Sequence, residues 1–335
     1  MRILLCSYVF PPSVGGIETV SRILAEEFSR LGSTVTVVTS TRGEQTSSEY
    51  EVVRRPSLWR LRRLGRNADI IFQSNISLKT LLPLFTCGKP VVITHHGTVR
   101  RADGKRGWRE HFKLRLLRYC HNVAISDAVA QELGIHSIVI GNPFEKGEFE
   151  DRGDSARKKD LVFLGRLVSD KGCVLVLRAL EILQAEGLRP SFTVIGDGPE
   201  MRNLKQLTQE LGLTEQVSFR GVMRDGRGEE VARHKVMVIP STWAEPFGVV
   251  ALEGIAAGCA IVASRTGGLP EAVGPCGILF PNGDVATLAA AIKELLSNER
   301  MREALVEERK KHLSQFQPEV VAQRYLEIFK LALGD

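Results

Sequence analysis

Glu245 and Glu253 stand eight residues apart in the run Glu245-Pro246-Phe247-Gly248-Val249-Val250-Ala251-Leu252-Glu253. Pro246 and Gly248 predict a turn, and Val249 onward predicts a helix start. The first amides of a helix lack partners inside it and favour anions or oxygen-rich ligands. One loop thus offers two carboxylates to different parts of a polar ligand, although two solvated glutamates at a helix end would read the same way. A second constellation is Gly165-Arg166-Leu167-Val168-Ser169-Asp170-Lys171-Gly172, between a predicted strand and a predicted helix. Arg166 and Lys171 there, with the helix amides, make a diphosphate clamp, or else a pair of solvated charges. Gly196-Asp197-Gly198-Pro199 is a turn of small residues after the next strand, and it lacks the third glycine of the dinucleotide fingerprint. Arg220-Gly221-Val222 follows another strand and offers its backbone to a base edge. Together these loops describe a nucleoside-diphosphate site, with Glu253 placed for a ribose diol and Glu245 for a second polyol.

Such loops need strands and helices behind them, and the chain supplies these in alternation. Strands are expected at Arg2–Val9, Val35–Thr39, Ile70–Gln73, Val91–Thr94, Asn122–Ile125 and Ser137–Ile140, with a helix over Gly16–Leu31. A charged, glycine-containing stretch, Phe144–Lys159, reads as a linker. The pattern then restarts with strands at Leu161–Gly165, Ser191–Ile195, Val217–Arg220, Val236–Pro240, Ala260–Ala263 and Gly277–Phe280. Helices are expected at Gly172–Glu186, Glu200–Leu211, Val285–Ser297, Arg302–Phe316 and Pro318–Leu333. The fold class is α/β: two doubly wound parallel sheets, in domains 1–150 and 151–317, with a final helix over 318–335. Folds of this kind bind ligands at the carboxyl ends of their strands, which predicts a site facing a cleft between the halves.

A length of 335 residues fits two domains, and 43% hydrophobic with 25% charged residues excludes a disordered or membrane-embedded chain. Cys6, Cys87, Cys120, Cys173, Cys259 and Cys276 are scattered without a C-x-x-C pair, so reduced, mostly buried thiols of a cytoplasmic protein are expected. Met1–Phe10 reads as a buried first strand and not as a signal peptide. The net charge of +6 is uneven: residues 51–120 hold 16 basic against 4 acidic positions. Arg54, Arg55, Arg60, Arg62, Arg63 and Arg66 form one cluster. Arg100, Arg101, Lys105, Arg106, Arg109, Lys113, Arg115 and Arg118, with Trp108 and Phe112, form another. This stretch suits an anionic membrane surface, giving a peripheral position on its inner face, or an acidic substrate; a plain solvated helix face is the alternative. No nucleic-acid partner is expected.

The order Gly-Arg-x(4)-Lys-Gly, Gly-x-Gly-Pro, Phe-x-Gly and Glu-Pro-Phe-Gly-x(4)-Glu-Gly resembles the retaining glycosyltransferases of family 4. Ala256-Ala257-Gly258-Cys259-Ala260-Ile261-Val262-Ala263-Ser264 and Thr266-Gly267-Gly268-Leu269-Pro270-Glu271 are similar to that family too, and Glu245 with Glu253 matches its E-x(7)-E signature. The resemblance covers nearly the whole chain and is strongest from Leu161 to Gly283. It implies a GT-B fold, with two Rossmann-like domains facing across a cleft and the last helix returning to the N-terminal one. It also implies a nucleotide-sugar cosubstrate on UDP or GDP, no other cofactor and no required metal; the chain has no D-x-D.

By that resemblance Gly165, Arg166, Lys171, Gly198 and Val222 line the donor. Glu245 contacts sugar hydroxyls, the amides of Phe247, Gly248 and Val249 cradle sugar or phosphate, and Glu253 binds the ribose. Pro11-Pro12-Ser13-Val14-Gly15-Gly16-Ile17-Glu18 is similar to the family's glycine-rich loop. Gly16 then approaches the donor, while Gly15 and Glu18 serve the acceptor side. His96, ahead of Gly97, matches the family's His-Gly and joins Arg166, Lys171 and Glu245 as a catalytic candidate; a satisfied structural histidine is the alternative. Ser126 matches a serine on the acceptor side. Gly141-Asn142-Pro143-Phe144 and the stretch Met223–Lys235 depart from the family pattern.

The expected activity is retaining transfer of a hexose-type sugar from a nucleotide diphosphate to an acceptor hydroxyl on a glycan, a lipid-linked sugar or a small molecule. No nucleophile is evident for a double displacement, which favours front-face attack with Arg166 and Lys171 absorbing charge on the departing phosphate. A non-catalytic nucleotide-sugar-binding protein and an epimerase on the same fold are the alternatives; a phosphorylase would need a pyridoxal-phosphate lysine with no signature here.

Overall fold

The computed structural model describes residues 1–335 except 14, 44–46, 101–103, 106, 154–156, 224 and 335. Val14 of the glycine-rich loop and Arg101 and Arg106 of the basic stretch therefore lie outside the described residues. The chain divides into two compact units, Met1–Phe144 with Phe316–Asp335, and Glu145–Gln315.

The first unit runs β1 (Arg2–Ser7), α1 (Gly16–Arg30), β2 (Thr34–Thr39), β3 (Glu51–Arg54), α2 (Leu58–Asn67), β4 (Ile70–Ser74), α3 (Leu78–Phe85), β5 (Val91–His95), α4 (Trp108–Leu117), β6 (His121–Ala124), α5 (Asp127–Leu133) and β7 (Ile138–Val139). Its sheet has the order β3-β2-β1-β4-β5-β6-β7 with parallel pairings throughout. β1 is buried from Ile3 to Ser7, which is why it reads as a continuous apolar run without alternation.

The second unit runs β8 (Lys159–Leu164), α6 (Cys173–Ala185), β9 (Phe192–Ile195), α7 (Met201–Glu210), β10 (Val217–Gly221), α8 (Arg227–Val231), β11 (His234–Ile239), α9 (Val249–Ala256), β12 (Ala260–Ser264), α10 (Leu269–Val273), β13 (Gly277–Phe280), α11 (Val285–Ser297), α12 (Glu299–Glu307) and α13 (Arg309–Leu313). Its parallel sheet has the order β10-β9-β8-β11-β12-β13. The core is built where Val176, Leu177 and Leu180 of α6 and Leu288, Ile292 and Leu295 of α11 pack with the β8 and β9 side chains.

The last helix, α14 (Pro318–Leu333), starts with a proline whose fixed φ suits a first helical position. Its apolar residues recur at Val321, Ala322, Tyr325, Ile328 and Phe329, and this stripe joins the core of the first unit. Tyr325 and Phe329 lie 5.2 and 5.3 Å from the Phe72 ring, and the Thr94 hydroxyl donates to the Tyr325 oxygen at 2.9 Å. Fully burying each such ring contributes roughly 2–3 kcal/mol.

Each sheet starts near its middle and grows one way before crossing to the other side. The reversal falls between β1 and β4 in the first unit and between β8 and β11 in the second. The loops leaving those paired strands diverge to opposite faces, which opens a crevice at their carboxyl ends.

Two elements escape a reading of the sequence. β3 is an edge strand with Val52 and Val53 as its only buried residues, and α2 buries only Leu61 and Gly65 among its ten. Neither leaves a clear apolar period. The single helix expected over Arg302–Phe316 is instead α12, α13 and a 3-10 turn at Ser314–Phe316. α12 buries no residue fully, whereas α13 is drawn inward at His312, whose Nε2 meets the Ala272 carbonyl at 2.8 Å.

Candidate functional site

Four neighbouring strands of the second unit deliver the donor-side candidates to one sheet edge. Gly165 and Arg166 follow β8, Gly198 follows β9, Val222 follows β10, and Glu245 follows β11. The loops approach very closely. A Cβ on Gly196 would stand 1.8 Å from the Gly165 carbonyl oxygen, and one on Gly198 would stand 2.4 Å from that of Leu167. Only glycine fits there. The Gly196 amide in turn donates to the Gly221 carbonyl at 2.8 Å, tying the β9 and β10 loops together.

Lys171 ends a 3-10 turn at Ser169–Lys171, and the Thr242 and Trp243 amides both donate to the Asp170 carbonyl, at 2.9 and 3.3 Å. This sews the β8 loop to the β11 loop and brings Lys171 Nζ into an ion pair with Glu245 Oε1. The Ser241 hydroxyl donates to the same oxygen at 2.7 Å. The Glu245 carbonyl is held separately by the Gly268 amide at 2.7 Å, so its backbone and carboxylate are both fixed. Arg166 differs: it is exposed, and among the described residues its side chain has no hydrogen bond or ion pair. Lys171 and Glu245 thus form a closed pair between the β8 and β11 loops, and Arg166 follows β8 as an exposed cation.

Phe247 is buried, and Gly248 precedes α9 at φ 101°, where an added Cβ would lie 2.5 Å from Leu269 Cδ2. That turn aims the N-terminus of α9, beginning at Val249, without a capping side chain. Glu253 sits on the same helix in a different setting. Its pKa is raised to about 7, chiefly by burial, with Arg227 opposing the rise and Glu148 and Glu145 adding to it. Arg227 itself donates to Glu148 at 2.8 Å and to Glu145 at 3.4 Å. Glu253 is therefore a partly protonated carboxyl at neutral pH, in the field of Arg227 and the two glutamates it binds.

The acceptor-side candidates lie in the first unit. Gly15 precedes α1, and the Glu18 carboxylate folds back beneath it, so that a Cβ on Gly15 would stand 2.5 Å from Glu18 Oε2. Ser13 donates to Glu18 at 2.9 Å, and Gly16 opens the helix with nothing near its Cα face. Ser126 is fully buried and caps α5, accepting from the Val129 amide at 3.1 Å. That capping is a local structural role.

His96 follows β5 and is buried. Its Nε2 lies 3.0 Å from the Ser74 hydroxyl, and its amide donates to Asn75 Oδ1 at 2.8 Å. Ser21 bridges Ser74 to Ser7 at 3.1 and 3.0 Å, completing a row of buried hydroxyls that ends on the imidazole. Burial, and then neighbouring His95, push the His96 pKa down to about 4, so the ring is neutral at physiological pH. His95 points elsewhere, to Asn122 Oδ1 at 3.0 Å.

Sequence reading missed Ser241, Arg227, Ser74 and Asn75. Ser241 has a usable signal, a hydroxyl just past a strand end and four residues before Glu245. Ser74 and Asn75 end β4 without any motif, and only the sheet order places them beside His96. The basic stretch is also less uniform than its composition. Arg54 turns inward to the Pro11 and Thr41 carbonyls at 2.8 and 3.1 Å, and Arg60 pairs with Glu51. Trp59 and Trp108 are 70% and 75% exposed, with Arg63 and Arg109 over their rings. Among the described residues no group of three or more His, Cys, Asp or Glu could hold a metal ion, and no helix is long and apolar enough to cross a membrane.

The model of the family "Glycosyl transferases group 1" matches residues 145–312, and that of "Glycosyltransferase Family 4" matches residues 14–137. A GDP-mannose-dependent alpha-(1-6)-phosphatidylinositol monomannoside mannosyltransferase from Mycolicibacterium smegmatis is 26% identical over 90% of this chain and 91% of its own length. A D-inositol 3-phosphate glycosyltransferase from Acidothermus cellulolyticus is 34% identical over 55% of this chain and 45% of its own. Apart from the mycobacterial protein, the chain spans less than half the length of such curated relatives. Among solved structures, HepE from Anabaena in complex with UDP superposes with a TM-score of 0.83 at 19% identity, covering 99% of this chain and 100% of that one. A glycosyltransferase from Rickettsia africae gives 0.83 at 17% identity, covering 100% and 99%. The fold of this chain is GT-B, built from two Rossmann-like units.

Proposed function

The chain belongs to the glycosyl transferases group 1 family, and on that premise we propose that it transfers a hexose-type sugar, with retention, from a nucleotide diphosphate to an acceptor hydroxyl. The observation that carries this reading is the Lys171–Glu245 pair joining the β8 and β11 loops, with Arg166 exposed at the end of β8 and close glycine approaches at Gly196 and Gly198. A diphosphate arriving there draws Lys171 from Glu245 and finds Arg166 already exposed. Glu245, relieved of its cation but still held by Ser241, then accepts from sugar hydroxyls. Gly165, Gly198 and Val222 leave room for the nucleotide, and Glu253 accepts from the ribose diol. UDP and GDP sugars are the donor classes; relatives of this chain are named for GDP-mannose and solved with UDP.

In the transfer step the acceptor oxygen bonds to the anomeric carbon as the bond from that carbon to the phosphate oxygen breaks. The acceptor proton moves to that phosphate oxygen, on the same face, and the nucleoside diphosphate departs. Negative charge grows on the phosphate as the bond lengthens, so Arg166 and Lys171 act mainly in the transition state. His96, neutral and fixed by Ser74 and Asn75, serves as a hydrogen-bonding group on the acceptor side. Gly15 and Glu18 shape the glycine-rich loop for the acceptor, Gly16 opens α1 toward the donor, and Ser126 caps α5. The exposed Trp59 and Trp108 with Arg63 and Arg109 support, as part of this proposal, a peripheral position on an anionic membrane surface.

Incubation with UDP- and GDP-hexoses tests this directly, following nucleoside diphosphate release and the anomeric configuration of the product by NMR. Release with an unchanged anomer is expected. An inverted product, or a trapped sugar–protein adduct, overturns the proposed step.

A further inference from the structure

We propose that the first unit reads a phosphate group on the sugar acceptor, with Arg55 and Lys79 as the residues that recognise it. This deepens the transferase reading and rests on it for the role of the first unit. A cavity of about 370 Å³ lies at the carboxyl ends of β1, β2 and β4, where that sheet reverses its order. The volume suits a phosphorylated sugar or cyclitol ring. Its wall carries Arg55, Lys79 and the hydroxyls of Ser7, Ser74, Ser77 and Thr80, and among the described residues it includes no aspartate or glutamate. Two cations among hydroxyls, with no carboxylate among the described lining residues, give the wall a positive potential. A doubly charged oxyanion fits such a wall better than a neutral polyol.

Three further observations point the same way. Arg55 and Lys79 are exposed, and among the described residues neither belongs to an ion pair. Arg55 is also oriented. Its amide donates to Thr39 and its Nε to the Ser40 carbonyl, both at 2.8 Å, and these bonds hold it at φ 49°. The other non-glycine residue at positive φ among the described residues is Asn75, at 68°, and it lines the same cavity. Backbone strain of this kind costs on the order of 1–3 kcal/mol per residue and persists where surrounding structure enforces it, commonly at ligand sites. Finally, the N-terminus of α3 opens onto the cavity at Ser77, whose hydroxyl caps no amide, and this adds helix amides to the cationic wall. The row from Ser7 and Ser74 to His96 runs along the cavity wall, linking the phosphate pocket to the imidazole on the acceptor side.

The phosphate could come from a soluble phosphomonoester or from a lipid headgroup, and the test separates these. Calorimetry on the whole chain, with UDP or GDP present, compares myo-inositol 1-phosphate and glucose 6-phosphate with inositol and glucose. Sedimentation compares phosphatidylinositol with phosphatidylcholine vesicles. The phosphorylated probe of at least one source should bind roughly tenfold or more tightly than its counterpart. Lys79→Glu and Arg55→Glu should abolish that preference, and Lys79→Arg should keep it. Preference confined to vesicles and lost in Lys79→Glu assigns the phosphate to a lipid. Equal binding of phosphorylated and parent probes in both arms overturns the proposal, as does a preference that survives both charge reversals. Stabilisation by UDP or GDP is followed in every variant. If it fails everywhere the transferase reading falls; if it persists while phosphate selectivity is absent, only the present proposal falls.

Discussion

The two sheets reverse direction at β1/β4 and at β8/β11, and the side chains gathered at these places differ in how their charge is balanced. At β8/β11, Lys171 is neutralised by Glu245, which Ser241 also holds, and Arg166 is exposed at the end of β8. At β1/β4, Arg55 and Lys79 line a cavity that has no carboxylate among the described residues, and nearby His96 is kept neutral. One site holds its charges in a closed pair that a ligand must open. The other presents uncompensated charge that a ligand would complete. The difference teaches that a similar βα topology can prepare one site for a group that gains charge during reaction and another for a group that carries charge throughout.

The sharpest way to break this contrast is to remove the second unit's cations. Arg166→Ala and Lys171→Ala should each lower kcat by about 10² to 10³ while donor KM changes far less, because the charge they meet develops in the transition state. Steady-state kinetics with a saturating donor decides it; a loss confined to KM would make the clamp a ground-state binder.

The next effect is on pH. In the proposed complex a ribose diol donates to the ionised form of Glu253, whose pKa is raised to about 7. Nucleotide affinity should therefore fall as pH drops below 7, approaching tenfold per unit, because a proton must be lost on binding. Calorimetry between pH 5.5 and 8.5 measures this, and Glu253→Gln should bind weakly and without that slope. The same shift bears on stability. The folded pKa lies above the ordinary 4.5, so its contribution is fully present below 4.5 and is lost as pH rises through about 7. Glu253→Gln should accordingly raise Tm relative to the native chain more at pH 8 than at pH 5.

His96 works in the opposite direction. Its folded pKa of about 4 lies below the ordinary 6.5, so its stabilisation is full above 6.5 and is lost as pH falls through about 4. The difference corresponds to roughly 3 kcal/mol at most. Urea melts at pH 7 and pH 4.5 should show a smaller loss in His96→Asn than in the native chain; equal losses would mean that the histidine is not held neutral. The smallest effect concerns the membrane surface. Sedimentation with anionic vesicles should decline with salt, by about 1 kcal/mol for each basic residue near the surface that is neutralised. Binding indifferent to salt would remove electrostatic attraction from the account.

Much of the second unit's fold was legible in the sequence, and its candidate site residues lie on loops with glycine punctuation. Gly165, Gly196 and Gly198 mark close backbone approaches, and Glu245, Arg166 and Lys171 share that context. What the spacing could not reveal is that Lys171 and Glu245 pair with each other, since that contact is created by backbone bonds from Thr242 and Trp243 to Asp170. Nor does an E-x(7)-E run disclose that Glu253 shares its surroundings with Glu145, Glu148 and Arg227, three residues that lie far from it in sequence. The first unit was harder to read. Arg55 and Lys79 belong to no motif, and in a run of arginines Arg54 and Arg55 look alike. Only the fold turns one toward the Pro11 carbonyl and the other onto the cavity.

Nucleotide-dependent stabilisation tests the central claim most directly. Thermal unfolding of the native chain, Arg166→Ala and Glu253→Gln is followed with UDP, GDP, their hexose conjugates, UMP and GMP. A ligand at about 100 times its Kd adds about 2.7 kcal/mol to the folded state. One nucleotide diphosphate and its sugar should raise Tm by several degrees, its monophosphate should do less, and Glu253→Gln should blunt the shift. If no nucleotide diphosphate raises Tm above its monophosphate, the β8/β11 site is not a diphosphate clamp and the account fails.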